Sequence, residues 1–297
     1  MDSFSTNSTM VPNITTALYI NDSLVCREKY GHAFQAAVGV ITTVLGLPAN
    51  MMVLWILLRK QTAISSSEVF EINLAVMDAL YCLNTPLDIY HYYFAQQNGI
   101  VRIIVFFFYG FNTYGGPLFL CCICMERYMA VVYPITYLGF KSLTYRVLCS
   151  VAAWAITLAF SIYSSMKAFD ATIYVYAGYI SALFIVMIFC NISILRVLRR
   201  SSPGRDEIHP MKKKAFRMVS AVLMIVFVSC FPAIVIFPLK PYFNVITFKC
   251  SVIPVAFCFV GPSSCIQPFL YLSSVVTFSF RQYPCNGPCC LTLSSSP

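Results

Sequence analysis

Charge is what this chain has least of. Only 10% of its 297 residues are Asp, Glu, Lys or Arg, where a soluble domain averages roughly 25%. With 59% hydrophobic residues beside that deficit, an ordinary soluble protein is excluded and the chain falls in the membrane class. Histidine is as sparse. His32, His91 and His209 are dispersed without metal-ligand spacing, so no zinc site and no enzymatic constellation is read. No internal repeat is visible, which speaks against an inverted-repeat transporter, and there is no chain of intramembrane charges of the kind a channel or pump would need. Residues 1–30 are polar and lack a basic leader with a short apolar core. No cleaved signal peptide is therefore expected, and the first helix is read as the insertion signal.

What is present is apolar length. A crossing takes about 20 mostly apolar residues, and seven such stretches lie near 34–58, 69–94, 100–125, 145–166, 172–195, 215–238 and 249–273. The expected fold is an all-α membrane protein. A seven-transmembrane helix bundle over 34–273 follows an extracellular tail, 1–33, and precedes a short cytoplasmic tail, 274–297. In that tail Phe278, Phe280 and Arg281 are set to form a short amphipathic C-terminal helix on the membrane. With the amino terminus outside, 14 of the 20 basic residues fall on the inner side, as the positive-inside rule requires. Basic residues that flank spans do not read as a nucleic-acid surface. Asn7, Asn13 and Asn21 open three glycosylation sequons within the polar tail, consistent with an exposed amino terminus. The plasma membrane is the expected location.

Nine of the 14 cysteines fall within or beside spans and read as small packing residues. Cys285, Cys289 and Cys290 sit in the inner tail. They are candidates for palmitoylation, with free thiols the competing reading. Cys26 and Cys250 alone remain outside, and two cysteines in an oxidising compartment are expected to pair.

Six motifs then occur in order on successive spans: Gly46-Leu-Pro-Ala-Asn50; Asn73-Leu-Ala-Val-Met-Asp78; Glu126-Arg127-Tyr128 with Pro134 beyond; Trp154; Phe227-Val-Ser-Cys230-Phe231-Pro232; and Gln267-Pro268-Phe-Leu-Tyr271. In this order the chain resembles a rhodopsin-like (class A) G-protein-coupled receptor over residues 34 to about 283. Its Phe-x-x-Cys-Phe pattern and outer cysteine pair are nearest the purinergic, carboxylate, lipid and protease-activated branch. The resemblance implies a cell-surface receptor that activates a heterotrimeric G protein. Arg127 would be its switch, resting against Glu126 or a cytoplasmic neighbour and turning to the G protein when helix six swings out. Tyr128, Phe231, Pro232, Gln267, Pro268 and Tyr271 would be its coupled parts. It also implies an allosteric sodium ion at Asp78 with Ser263 and Ser264, a structural water being the alternative. Gly116 stands where the family has a serine and Gln267 where it has Asn or Asp, so sodium dependence should be weak.

Other departures bear on function. The inner end of helix six, Lys212-Lys-Lys-Ala-Phe-Arg217, offers no acid to lock Arg127, and basal signalling follows as an expectation. Arg102 occupies the usual helix-three cysteine position, and the following outer loop, about 165–172, has no cysteine either. Leu183 and Asn191 replace helix five's usual proline and tyrosine. These changes keep a rival open: a non-coupling scavenger or structural protein on the same fold.

Arg102 and Arg127 lie 25 residues apart, about seven turns or about 37 Å on one helix face. Phe106, Tyr109 and Thr113 follow that stripe. With His91 and Lys249 they form the expected ligand pocket, and a basic rim over aromatics favours an anionic ligand. Snorkelling of basic side chains to the interface is the equal alternative. Asp88 and His91, at i and i+3, either line this pocket or pair with each other. A tethered peptide is disfavoured because Arg27 and Lys29, the only basic residues before helix one, adjoin Cys26. The basic helix ends of the inner face suit anionic lipids, and Ser201 and Ser202 are candidate phosphorylation sites.

Overall fold

The computed structural model describes residues 30–60, 66–95, 98–140, 142–167, 169–200 and 210–282. Asn7, Asn13, Asn21, Cys26, Ser201, Ser202, Cys285, Cys289 and Cys290 lie outside the described residues. The regular structure of the described residues is helical throughout. In chain order the elements are α1 Tyr30–Arg59, α2 Ser66–Phe94, α3 Gly99–Val132, the short α4 Pro134–Phe140, α5 Leu143–Met166, α6 Phe169–Arg200 and α7 Pro210–Ile236. A 3₁₀ turn, Phe237–Tyr242, leads to α8 Val245–Phe257, and α9 is Ser263–Gln282.

Five stretches are long and apolar enough to cross a membrane by length and composition: those of α1, α3, α5 and α6, and Leu223–Tyr242, which runs from α7 through the 3₁₀ turn. α2 has the length, 29 residues, but its acids Glu68, Glu71, Asp78 and Asp88 dilute its hydropathy. The seventh crossing is split. α8 ends at Phe257, Cys258–Pro262 forms turns, and α9 begins at Ser263. Pro262 cannot donate to the ladder, and Ser263 N–H bonds to Val260 O at 3.2 Å instead. Non-helical backbone at membrane depth persists where it is buried in protein or lines a cavity. Gly261 is buried here. These elements together make the seven-helix bundle. Phe278, Phe280 and Arg281 fall in the last turns of α9, continuous with the seventh crossing.

α3 is the axis of the bundle. Of its apolar window 61% is buried, against 22–33% for the other four apolar spans. Its start is fixed by Asn98, whose Oδ1 accepts from Ile100 N–H at 3.1 Å and Val101 N–H at 3.2 Å, satisfying orphan donors of the first turn. The core around it joins Met77, Phe111, Phe119, Ile123, Met187, Ile194 and Val226. α5 approaches through small side chains: a Cβ at Gly110 would stand 3.0 Å from Ser161 Cα. Close approach at small residues is how membrane helices gain packing without a hydrophobic drive. α5 ends at Met166 and α6 begins at Phe169, closer together than the loop of about 165–172 expected from sequence.

Candidate functional site

Three polar centres lie along the bundle. At the carboxyl-terminal end of α3, Glu126 is buried and ion-paired with Arg146 of α5, whose side chain is also buried. Tyr137 of α4 donates its hydroxyl to the same carboxylate oxygen at 3.0 Å, and the Arg146 guanidinium lies over the Tyr137 ring, 5.3 Å from its centroid. Of the two resting partners expected for Arg127, this removes Glu126. Glu126 is held by α4 and α5, and Arg127 makes no ion pair among the described residues. Arg127 Nε is buried without a hydrogen-bond partner. Neighbouring residues on a helix point about 100° apart, so one carboxylate cannot serve the α5 arginine and the next residue along equally well. Glu71 of α2 is the nearby acid that feels the charge of Arg127, together with Glu68 and Glu126. Tyr128 stacks edge-on to Tyr133, ring centroids 5.8 Å apart. Sequence reasoning did not single out Arg146 or Tyr137; nothing in their spacing points at residue 126.

The second centre crosses the middle of the bundle. Asn112 of α3 donates to Asp78 Oδ1 at 3.0 Å and to Ser264 Oγ at 3.0 Å. Asn50 of α1 donates to Ser264 O at 2.8 Å and to Gly46 O at 3.0 Å. Four motif-bearing segments thus converge, with Asn112 the member that sequence reading missed. Trp154 and Asn73 meet beside it, Nε1–H to Oδ1 at 2.7 Å. Asp78 Oδ2 is buried without a partner, which fits a cation or a water. Ser263 does not take part: its hydroxyl donates to Val260 O at 2.6 Å. An ion here would rest on Asp78 and Ser264 alone, with an Asn112 amide donor facing both. A Cβ at Gly116 would lie 3.9 Å from that amide, so the missing serine leaves a gap in the same place.

The switch residues of the sixth and seventh crossings are displaced. Phe231 points outward, 44% exposed, and stacks on Phe227 at 4.6 Å between centroids. Ser229 and Cys230 are buried instead. Pro232 follows the aromatic directly, one residue sooner than the family pattern, which turns that aromatic about 100° around the helix. Gln267 Oε1 is buried without a partner. Tyr271 packs against the Val53, Leu57 and Ala75 cluster of α1 and α2. Pro268 lies within α9.

The third centre is a cavity of about 20 Å³ near the opposite end. α1, α2, α3 and the α8–α9 break enclose it, with Gln35, Tyr81, Asn84, Asp88, Tyr109 and Gly261 in its wall. Of the expected pocket residues only Tyr109 lines it. Phe106 faces outward, a correction to the stripe. Thr113 is buried in the core. His91, Arg102 and Lys249 stand outside the cavity wall, half-buried at the helix ends. Asp88 lines the cavity and does not pair with His91, whose Nε2 is buried without a partner. Cys250 is disulfide-bonded, while the nine span cysteines are free thiols. The partner of Cys250 therefore lies outside the described residues. Among the described residues no group of His, Cys, Asp or Glu is arranged to hold a metal.

Residues 49–169 match the family described as 7 transmembrane receptor (rhodopsin family). The chain is 27% identical over 271 residues to proteinase-activated receptor 3 of Homo sapiens, covering 79% of this chain and 70% of that one. It is 25% identical over 323 residues to lysophosphatidic acid receptor 4 of Homo sapiens, covering 93% and 84%. To proteinase-activated receptor 2 of Mus musculus it is 28% identical over 298 residues, covering 88% and 73%.

Proposed function

Because this chain belongs to the rhodopsin-like family of seven-transmembrane receptors, we propose that it binds an extracellular ligand at the plasma membrane and activates a heterotrimeric G protein through Arg127. The observation that carries this reading is the capture of Glu126 by Arg146. It leaves Arg127 without an ion pair among the described residues, with Glu71 the nearby acid, and we read it as facing a cytosolic partner. An unpaired cation inside a membrane bundle is costly and is retained for function. The same arrangement supports basal signalling, since neither Glu126 nor an acid at the inner end of α7 holds Arg127 down.

The ligand is read as anionic. Arg102, Lys167, Lys240 and Lys249 gather positive charge at the outer helix ends, and such a rim raises the local concentration of acids. The amino terminus is read as extracellular, with glycans at Asn7, Asn13 and Asn21 and lipids on Cys285, Cys289 and Cys290. Sodium plays at most a minor part, on Asp78 and Ser264.

The test is expression of the full chain with a G-protein dissociation readout, screened against acidic metabolites and nucleotides. Wild-type receptor should exceed an empty-vector control without ligand, and acids should raise the signal further. Arg127→Ala should abolish both. Signal that survives this change undiminished would sink the switch role. Specific binding of an acid with no signal would favour the scavenger reading, for which the Gln267, Asn191 and Leu183 departures speak.

A further inference from the structure

The cavity among α1, α2, α3 and the α8–α9 break is not accounted for by an anionic ligand at the rim, and its chemistry is of the opposite sign. Its wall carries acceptors that have no partner among the described residues. Asn84 is only 4% exposed; its amide donates to Val105 O at 3.3 Å, while its Oδ1 is buried with no partner. Asp88 brings a carboxylate to the same wall, without an ion pair or hydrogen bond among the described residues. Gln35 Nε2 donates one of its two hydrogens to Tyr109 OH at 2.6 Å. The remaining walls are aromatic. Tyr81 and Tyr109 meet edge to face at 5.7 Å, and Tyr109 and Phe257 at 5.6 Å. About 20 Å³ is room for one water-sized group.

We infer that this cavity is a binding subsite for a primary ammonium group, held by Asp88 and Asn84 Oδ1 and walled by Tyr81, Tyr109 and Phe257. An ammonium head is water-sized and brings three donors and no acceptor, which suits the unpartnered Asn84 Oδ1 and the Asp88 carboxylate. Its charge answers the half-buried Asp88 carboxylate, whose cost inside a bundle a cation lowers. Aromatic faces attract the same charge. The turn at Cys258–Pro262 is part of the construction. It brings Gly261 beside Tyr81, where a Cβ would stand 3.0 Å from the hydroxyl. Asp88 sits six residues, about 9 Å, inside the outer end of α2, within reach of a ligand docked at the rim. The subsite goes beyond the anionic reading and does not depend on it.

The experiment uses the full chain purified in detergent micelles, with benzylamine as probe and benzyl alcohol as its neutral twin. Thermal unfolding is followed as each is titrated. Benzylamine should raise Tm saturably and benzyl alcohol should not. Asp88→Asn should weaken the benzylamine effect at least tenfold while retaining its own cooperative transition. If Asp88→Asn does not fold, Asn84→Ala carries the same expectation of weakened binding. Equal stabilisation by benzyl alcohol, or unaltered benzylamine affinity in the variant that folds, overturns the inference. Absence of any benzylamine effect overturns it too and leaves the cavity to an ordered water. No arm requires a G protein, so a failure here leaves the receptor reading standing, and the converse holds.

Discussion

At the residue scale the decisive contact is Glu126 with Arg146. Two side chains that are 3% and 5% exposed form it, and such a pair is more costly to halve than to remove. Taking away one partner of a buried pair costs about 3–5 kcal/mol, because the other charge is stranded. Arg146→Met should therefore lower receptor Tm sharply, and Glu126→Gln combined with Arg146→Met should recover most of the loss. Arg127→Ala should cost much less stability than Arg146→Met, because Arg127 makes no ion pair among the described residues. Thermal unfolding of the four purified proteins checks the order, and an Arg127 variant as unstable as the Arg146 variant would contradict the assignment of partners. This contact was not legible in the sequence. Glu126 and Arg127 adjoin in a motif, and motif reading offered Glu126 as one resting partner, a cytoplasmic neighbour being the other. Residues at i and i+1 do not face each other on a helix, and the true partner lies 20 residues away. Asn112 was missed for a related reason: a lone polar residue in an apolar span carries no spacing that says which neighbour it meets.

At the scale of elements, α3 and α5 are held by a seam of small residues. Gly110 faces Ser161, and Ala153, Thr157 and Ser165 are buried on the same helix. A leucine at Gly110 must push the helices apart, whereas Gly178 of α6 has nothing within 4 Å of an added Cβ. Gly110→Leu should reduce the yield of folded, detergent-soluble receptor several-fold, and Gly178→Leu should leave it within error of wild type. Size-exclusion chromatography of the two variants decides between a packing seam and a general intolerance of bulk. Hydropathy alone located the elements well, because lipid demands about 20 apolar residues per helix whatever the helix does. The seventh crossing was read as one segment, 249–273. The Gly261-Pro262 pair is the punctuation that marks the break. It was overlooked because the surrounding residues stay apolar through it. The outward turn of Phe231, by contrast, was implicit in the one-residue displacement of Pro232.

For the whole molecule, the open matter is which side each end occupies, and one covalent bond bears on it. Cys250 is disulfide-bonded, and the nine cysteines within the spans are free. Its partner is then Cys26 or a cysteine of the carboxyl-terminal tail, and these alternatives sit on opposite sides of a bundle with seven crossings. A disulfide in an oxidising compartment favours the outer pair. So does geometry: a Cβ at Gly31 would abut the backbone of Cys250, which sets the start of α1, five residues beyond Cys26, against the start of the seventh crossing. Non-reducing peptide mapping should return a Cys26–Cys250 linked peptide. Glycosidase treatment should increase gel mobility of wild-type protein and leave a triple Asn7→Gln, Asn13→Gln, Asn21→Gln variant unchanged. Cys26→Ser should leave Cys250 reactive to a membrane-impermeant maleimide applied to intact cells. Should that label reach Cys250 only after permeabilisation, the orientation is inverted: Arg127 would then open to the exterior, and coupling to a cytosolic G protein through it would be physically barred.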